Sequence, residues 1–220
     1  MRGLEIFLKQ LTVANQLTLL RLAAVPALAL ALLTGERLLA LGLFVAAAIT
    51  DRLDGIAARR WGQQTALGRF LDPAADKLMM LVTYVIMAMP DSPRPFPDFE
   101  LTWHVPAWLA LLVVARDVII VVVAAGIYLT YHVTDYPPSR LGKWTTGFEM
   151  GTGGAFLLGN VWVGLPGELL KVGALSTGAL VISSGVQYLL IARRRLAELD
   201  REERQPLRRP QGKDRSDDRR

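Results

Sequence analysis

The sequence predicts an all-α integral membrane protein, a bundle of six transmembrane helices preceded by an interfacial amphipathic helix. Three observations support this class. Hydrophobic residues make up 52% of the 220-residue chain. Six apolar segments approach the roughly 20 residues that a helix needs to cross a bilayer. The linkers between them are short and rich in turn-forming residues, so no soluble domain fits between the helices.

The first 14 residues, MRGLEIFLKQLTVA, are predicted to form the amphipathic helix, because Leu4, Leu8 and Leu11 fall on one helix face. A cleaved secretory signal is the alternative, since basic residues precede an apolar run. Arg21 interrupts that run, which favours a helix that is retained.

The six predicted spans form one membrane domain over residues 15–192. They lie at 15–33, 38–58, 73–89, 105–130, 145–163 and 169–192. The tail over residues 193–220 carries eleven Lys/Arg and seven Asp/Glu. Its composition predicts a short helical extension followed by disorder.

The distribution of basic residues predicts the orientation. If both termini face the cytoplasm, the outer loops carry only Arg37 and Arg94. The cytoplasmic segments then carry the tail and Arg2, Lys9, Arg52, Arg59, Arg60, Arg69, Arg140 and Lys143. This asymmetry follows the positive-inside rule. The expected location is the plasma membrane, a bacterial inner membrane.

The side chains available limit the chemistry. The chain has no cysteine and two histidines, so thiolate catalysis is excluded and a bound metal must rely on oxygen ligands. The second and third predicted spans meet the cytoplasmic face at Asp51, Asp54, Asp72 and Asp76. An aspartate at the centre of a transmembrane helix costs about 2.5–3.5 kcal/mol, so ionisable residues at membrane depth indicate function.

The spacing of these aspartates predicts a site for divalent cations. Asp51 and Asp54 are three residues apart and Asp72 and Asp76 four, so each pair shares a helix face. The short turn between the helices brings the two pairs together. Carboxylates without His or Cys suit Mg²⁺, Mn²⁺ or Ca²⁺, and two such ions are a recurrent device for displacement at phosphorus. The alternative is an interfacial salt-bridge cluster with Arg52, Arg59, Arg60 and Arg69.

At these residues the chain resembles a known family. The pattern Asp51-x2-Asp54-Gly55-x2-Ala58-Arg59-x8-Gly68-x3-Asp72-x3-Asp76 matches the signature of the CDP-alcohol phosphatidyltransferases at all eight fixed positions. The resemblance extends to the first-helix motif NQLTLLR. It implies a six-helix bundle, often dimeric, that transfers a phosphatidyl group from CDP-diacylglycerol to an alcohol and releases CMP.

The resemblance also implies roles for individual residues. The four aspartates would bind two divalent cations, Mg²⁺ or Mn²⁺, and Asp76 would also be the general base. The CDP moiety would lie against the small or basic residues of the signature and the start of the first span, namely Gly55, Ala58, Arg59, Gly68, Asn15 and Thr18. Arg21, one turn beyond Thr18, would lie near the same site.

The alcohol acceptor is less well defined. Arg116, midway through the fourth span, and Arg140 and Lys143, at the cytoplasmic end of the fifth, are the candidate anion-binding residues. For Arg116 the alternative is a buried ion pair with Asp117. For the other two it is the positive-inside bias alone.

Two related activities fit this acceptor site. GRFLDPAADKLMM resembles the branch that uses glycerol-based acceptors. General likeness favours glycerol 3-phosphate, whereas ARDVII is closer to the cardiolipin synthases, which use phosphatidylglycerol. The expected partners are these substrates, membrane lipids and a second copy of the chain, and not nucleic acid.

Two other classes of protein, a divalent-ion transporter and a scaffold, fit the sequence less well than a transferase. A divalent-ion transporter would place acidic residues near the membrane midplane, whereas these cluster at one face. A scaffold protein would have no need of a carboxylate cluster. The sequence therefore favours the transferase.

Overall fold

The structure is a computed structural model that describes residues 13–61, 66–91, 96, 98–131, 140–162 and 164–204. Within these ranges it describes only the backbone of residues 13–15, 17, 52–61, 66–74, 76, 128 and 199–204. Nearly all of the predicted amphipathic helix and the end of the tail, from residue 205, lie outside the described residues. Both stay predictions.

The all-α class is confirmed, because the described residues form α-helices and no strand. The helices are α1 (Val13–Leu33), α2 (Arg37–Trp61), α3 (Ala66–Met87), α4 (Ala107–Tyr131), α5 (Arg140–Val161) and α6 (Gly167–Arg204).

Three helices extend well beyond the predicted spans, because hydropathy marks membrane-embedded residues and not helix ends. α5 begins at Arg140 and not at 145. α3 begins at Ala66 and not at 73, since Ala66 and Leu67 are strong helix formers. α6 continues to Arg204, where RRRLAELDREER combines helix-forming residues with an ion pair between Arg195 Nη1 and Glu198 Oε2 at 3.0 Å.

Two of the described helices are long and apolar enough to cross a membrane, α4 over Ala107–Tyr131 and α6 over Gly167–Glu198. Shorter apolar stretches occupy Thr18–Leu33 in α1 and Lys77–Met87 in α3. Large hydrophobic side chains on α4 are widely exposed, including Leu111 at 70%. A helix that is apolar on its outer face is typical of a lipid-facing surface.

The bundle is organised around α1 and α5. α1 packs against both α2 and α3, while α5 contacts α2, α3 and α6, and α4 packs mainly on α6. The core contains large, fully buried side chains contributed by most of the helices, including Leu28, Tyr84, Met87, Leu109 and Leu157.

The turn between α1 and α2 depends on Gly35, whose φ is +75°. The Glu36 N–H donates to Ala31 O at 2.8 Å and the Gly35 N–H to Leu32 O at 3.4 Å. These two bonds are the Schellman pattern, which needs a left-handed residue at this position. The turn reverses the chain so that α2 returns along α1.

A set of hydrogen bonds fixes the loop between α3 and α4 across the adjacent ends of α2 and α5. Asn160 Oδ1 accepts from the backbone N–H groups of Thr102 at 2.7 Å and Trp103 at 3.1 Å. Arg37 Nη2 donates to Glu100 O at 2.7 Å, and Nη1 to Asn160 O at 3.4 Å. Since α2 begins where α5 ends, the two helices are antiparallel.

Candidate active site

The best-defined part of the candidate site is an ion pair between α1 and α2. Arg21 Nη1 lies 3.3 Å from Asp51 Oδ1. The Arg21 side chain is 2% exposed and that of Asp51 38%. A buried guanidinium requires an anionic partner, and Asp51 supplies one while part of its carboxylate faces solvent. The expected proximity of Arg21 to the aspartate site is confirmed for this aspartate.

Thr18 lies one turn before Arg21 and is 1% exposed. Its position on the same stretch of α1 fits the predicted role beside the nucleotide, which stays a prediction. Asn15 lies in the first turn of the same helix, but its side chain lies outside the described residues.

The remaining signature residues are positioned by their backbones alone. The C-terminal part of α2 carries Asp54, Gly55, Ala58 and Arg59, and the first turns of α3 carry Gly68, Asp72 and Asp76. Their side chains are outside the described part of the chain, so the convergence of the two aspartate pairs stays a prediction.

A groove between α2 and α5 begins at Asp51. Its volume is about 820 Å³. Asp51 and Lys143 lie at one end of the groove, and Leu41 and Leu158 at the other. The lining between them is mostly apolar: Phe44, Val45, Ala48, Ile49, Thr146, Gly147, Met150 and Gly154. The groove therefore joins a charged end to an apolar channel.

The glycines of α5 differ in what they do. A Cβ at Gly153 would lie 3.2 Å from Tyr84 Cε2, and one at Gly154 would lie 3.3 Å from Phe44 Cε1. The spacing of Gly147, Gly151, Gly153 and Gly154 in the sequence predicts close helix packing, which is confirmed at Gly153 and Gly154. Cβ atoms at Gly147 and Gly151 would meet nothing within 4 Å, so close packing does not require these two glycines. Gly147 lines the groove and keeps it wide.

The predicted acceptor residues have different neighbours. Lys143 shares the α2–α5 groove with Asp51, and Arg140 is exposed at the first position of α5. Arg116 belongs to another cluster, where Nη1 lies 2.7 Å from Asp117 Oδ1 and Nη2 donates to Ser184 Oγ at 3.3 Å. The described contacts do not bring the three basic residues together.

A second set of charges lies between α3, α4 and α5 and is called here the Glu149 network, comprising Lys77, Arg116, Asp117 and Glu149. Lys77 Nζ lies 3.3 Å from Asp117 Oδ1. Glu149 is 2% exposed and within electrostatic range of the other three charges. Sequence reasoning assigned α5 around Glu149 to helix packing and did not include Lys77, because only the crossing of three helices brings these residues together.

The predicted cation site can be compared with the structure at one ligand, Asp51. Among the residues described with side chains, no three His, Asp or Glu form a cluster. Asp51 is the one signature aspartate with a described side chain, and its carboxylate is partly exposed and engages Arg21 through Oδ1. An oxygen-only ligand set of this kind suits Mg²⁺ or Mn²⁺.

Comparison with known proteins identifies a family. The family model for CDP-alcohol phosphatidyltransferase matches residues 11–186. The CDP-diacylglycerol–glycerol-3-phosphate 3-phosphatidyltransferase of Escherichia coli (strain K12) is 31% identical over 193 residues, which cover 84% of this chain and 96% of that protein.

Cardiolipin synthases are also similar. The probable cardiolipin synthase (CMP-forming) of Drosophila melanogaster is 30% identical over 198 residues, covering 82% of this chain and 57% of that protein. The human cardiolipin synthase (CMP-forming) is 33% identical over 127 residues, covering 57% of this chain and 38% of that protein. The chain therefore spans less than two thirds of the length of each of these two relatives.

These features define the class as a helical bundle of membrane type, with a carboxylate at the charged end of an apolar groove. Within that class, the chain belongs to the CDP-alcohol phosphatidyltransferase family.

Proposed function

We propose that this protein transfers the phosphatidyl group of CDP-diacylglycerol to a glycerol-based alcohol, first of all glycerol 3-phosphate, and releases CMP. The main support for this proposal is the position of Asp51, which forms an ion pair with Arg21 at the charged end of the α2–α5 groove. CDP-diacylglycerol has the two matching parts, a diphosphate that needs charge neutralisation and acyl chains that need apolar surface.

The dimensions of the groove support a lipid as its occupant. Leu41 and Asp51 are separated by ten helical steps, which correspond to about 15 Å, half the thickness of a hydrocarbon core of about 30 Å. The apolar walls come from α2 and α5. A lipid anchored at Asp51 would therefore extend one chain from the cytoplasmic face to the middle of the membrane.

The reaction is a displacement at phosphorus. The acceptor oxygen forms a bond to the phosphatidyl phosphorus, the bond from that phosphorus to the oxygen that leaves with CMP breaks, and the acceptor proton passes to the carboxylate of Asp76. Asp51, Asp54, Asp72 and Asp76 would hold two Mg²⁺ or Mn²⁺ ions. When bound, these ions would supply charge neutralisation to the diphosphate.

Other residues bind the two substrates in this proposal. Asn15, Thr18, Gly55, Ala58, Arg59 and Gly68 accommodate the CDP moiety. Lys143 is assigned to the donor lipid, because it lines the same end of the groove as Asp51. Arg116 is assigned to the acceptor, with Arg140 at the cytoplasmic entrance.

Phosphatidylglycerol is a second candidate acceptor, which would make the protein a cardiolipin synthase. One observation favours it. A separate cavity of about 230 Å³ lies between α3 and α4, lined by Lys77, Asp117 and apolar residues that include Leu81, Val118 and Val122. A lipid acceptor needs apolar space beside its headgroup, and this cavity provides it next to the Glu149 network.

The membrane arrangement extends the same proposal. Six spans place both termini and the aspartates on the cytoplasmic side, where CDP-diacylglycerol headgroups would be accessible. Residues 193–220 form the cytoplasmic tail, residues 1–14 lie at the interface, and the chain forms a homodimer. A bacterial inner membrane is the proposed location.

The test supplies purified protein with CDP-diacylglycerol, Mg²⁺ and one acceptor at a time from glycerol 3-phosphate, phosphatidylglycerol, inositol phosphate and serine. The lipid product is identified by mass spectrometry. Phosphatidylglycerophosphate is the expected product, and cardiolipin would select the second candidate. Product from inositol phosphate or serine alone would contradict the assignment to glycerol-based acceptors.

A further inference from the structure

The Glu149 network contains balanced formal charges but is incompletely hydrogen-bonded. Lys77 and Arg116 carry positive charge, and Asp117 and Glu149 negative charge. Asp117 Oδ1 forms ion pairs with both cations, at 2.7 Å from Arg116 Nη1 and 3.3 Å from Lys77 Nζ. Glu149 Oε1 is buried without a hydrogen-bond partner among the described residues. One carboxylate of the network is therefore paired with both cations through its Oδ1, whereas the other has a buried oxygen without a hydrogen-bond partner among the described residues.

The cations of the network also retain unused donors. Arg116 Nε is buried and makes no hydrogen bond within the described part of the chain, although Nη2 donates to Ser184 Oγ. Lys77 Nζ is close enough to Asp117 for an ion pair, but it makes no hydrogen bond with any described residue. Buried polar groups are nearly always satisfied, so an orphan acceptor beside two orphan donors indicates a ligand that brings the missing partners.

The elements around Glu149 hold it firmly. Tyr84 Oη donates to the Glu149 backbone O at 2.8 Å, and Tyr84 is itself 0% exposed. A side chain at Gly185 would contact Arg116 Cγ at 4.0 Å, so α6 lies directly against the Arg116 stem. Space adjoins the network on its other side, since Lys77 and Asp117 line the α3–α4 cavity.

We infer that Glu149, with Arg116 and Lys77, forms the subsite for a glycerol phosphate group, in which Glu149 Oε1 accepts a hydrogen bond from the acceptor hydroxyl that does not react. The phosphate matches the free donors of the two cations, and the second hydroxyl of glycerol matches the free carboxylate oxygen. The inference rests on the proposed function and deepens it, because it names a residue that determines acceptor specificity.

Free glycerol 3-phosphate and the headgroup of phosphatidylglycerol share this chemistry, so the subsite serves either source. Each source has an analogue that lacks only the non-reacting hydroxyl, 3-hydroxypropyl phosphate for the free acceptor and phosphatidylpropanediol for the lipid. A site that hydrogen-bonds a substrate hydroxyl discriminates strongly against the analogue without it, because its own buried group is left unsatisfied.

The experiment measures kcat/KM for both acceptors and both analogues in wild-type protein and in the Glu149→Met and Glu149→Gln variants. The wild type is expected to prefer the hydroxylated form of its acceptor by about 10–100-fold, the range for a hydrogen bond to a charged group. Glu149→Met is expected to reduce that preference to about onefold, and Glu149→Gln, which retains an acceptor oxygen, to restore part of it.

Thr152→Val is the matched control. Thr152 is also buried on α5, and its hydroxyl is 2.7 Å from that of Thr177 on α6, so its hydrogen bonds do not involve the charges of the network. This variant is expected to lose thermal stability while its acceptor preference stays at the wild-type value.

Three outcomes decide between the possibilities. Loss of preference in Glu149→Met with rescue in Glu149→Gln supports the subsite. An unchanged preference in both variants overturns it, and Glu149 is then an ion-pair partner only. Absence of transfer by wild-type protein to either acceptor overturns the proposed function itself and the subsite with it.

Discussion

Arg21 and Asp51 form a 3.3 Å ion pair in which the arginine is almost fully buried and the aspartate is partly exposed. The buried member belongs to α1 and the exposed member to the family signature in α2. Arg21 therefore fixes the carboxylate from behind while leaving one side of it free for a substrate or a cation.

The first prediction concerns this ion pair. Arg21→Met removes the positive charge and is expected to lower kcat/KM for CDP-diacylglycerol by about 10–100-fold, because hydrogen bonds to charged groups contribute about 1.5–3 kcal/mol. The measurement is CMP release at varied lipid concentration. Arg37→Met, at the opposite end of α2, is the control and is expected to lower thermal stability without changing that ratio. An Arg21→Met protein with wild-type kinetics would mean that Asp51 needs no partner.

The second prediction concerns the groove. Gly147→Leu adds a side chain in open space that lines the groove, so it is expected to lower kcat/KM for long-chain CDP-diacylglycerol by on the order of tenfold. A dioctanoyl substrate is expected to be less affected. Gly151 is also next to open space but does not line the groove. Gly151→Leu is therefore expected to keep the wild-type kcat/KM for long-chain CDP-diacylglycerol. Equal effects of the two substitutions would exclude the groove as the acyl site.

The third prediction separates donor from acceptor. Lys143→Gln is expected to raise KM for CDP-diacylglycerol about tenfold and to leave KM for the acceptor unchanged, because Lys143 lies in the groove with Asp51. Arg116→Gln is expected to raise KM for the acceptor and to leave KM for CDP-diacylglycerol unchanged. If both substitutions raise the acceptor KM alone, Lys143 belongs to the acceptor site, as the sequence predicted.

The fourth prediction concerns topology and uses the absence of cysteine from the chain. Cysteines at Thr34 and Glu168, both exposed in or near interhelical turns, are expected to react with an impermeant maleimide applied outside intact cells. A cysteine at Ser216 is expected to react only after the cells are opened. Labelling of all three positions from one side would contradict six spans with cytoplasmic termini.

The sequence predicted the positions of all six described helices, because apolar runs and turn-forming linkers are local properties. It missed the start of α3, since Ala66–Gly68 are helical for reasons of propensity and not of hydropathy. The short helical extension that it predicts after residue 192 is confirmed, because α6 continues to Arg204. It also predicted that Arg21 lies near the site, and the ion pair with Asp51 agrees with that position. The role of Asp51 in the site stays a prediction.

The Glu149 network was not predictable from the sequence in the same way. Lys77, Asp117 and Glu149 come from three helices that are distant along the chain, and their association depends on how those helices cross. The same limit applies to the glycines of α5, where spacing predicted packing at four positions but only Gly153 and Gly154 contact a neighbouring helix closely.

The most direct test of the central claim is Mg²⁺-dependent CMP release from CDP-diacylglycerol by the wild type, Asp51→Asn and Asp76→Asn, with nucleotide–lipid binding measured in parallel. The two-cation mechanism predicts that CMP release stops after chelation and recovers with Mg²⁺ or Mn²⁺. Asp51→Asn is expected to lose both CMP release and lipid binding. Asp76→Asn is expected to lose CMP release while its lipid binding stays near normal. Full activity after chelation, or in folded Asp51→Asn protein, would contradict it.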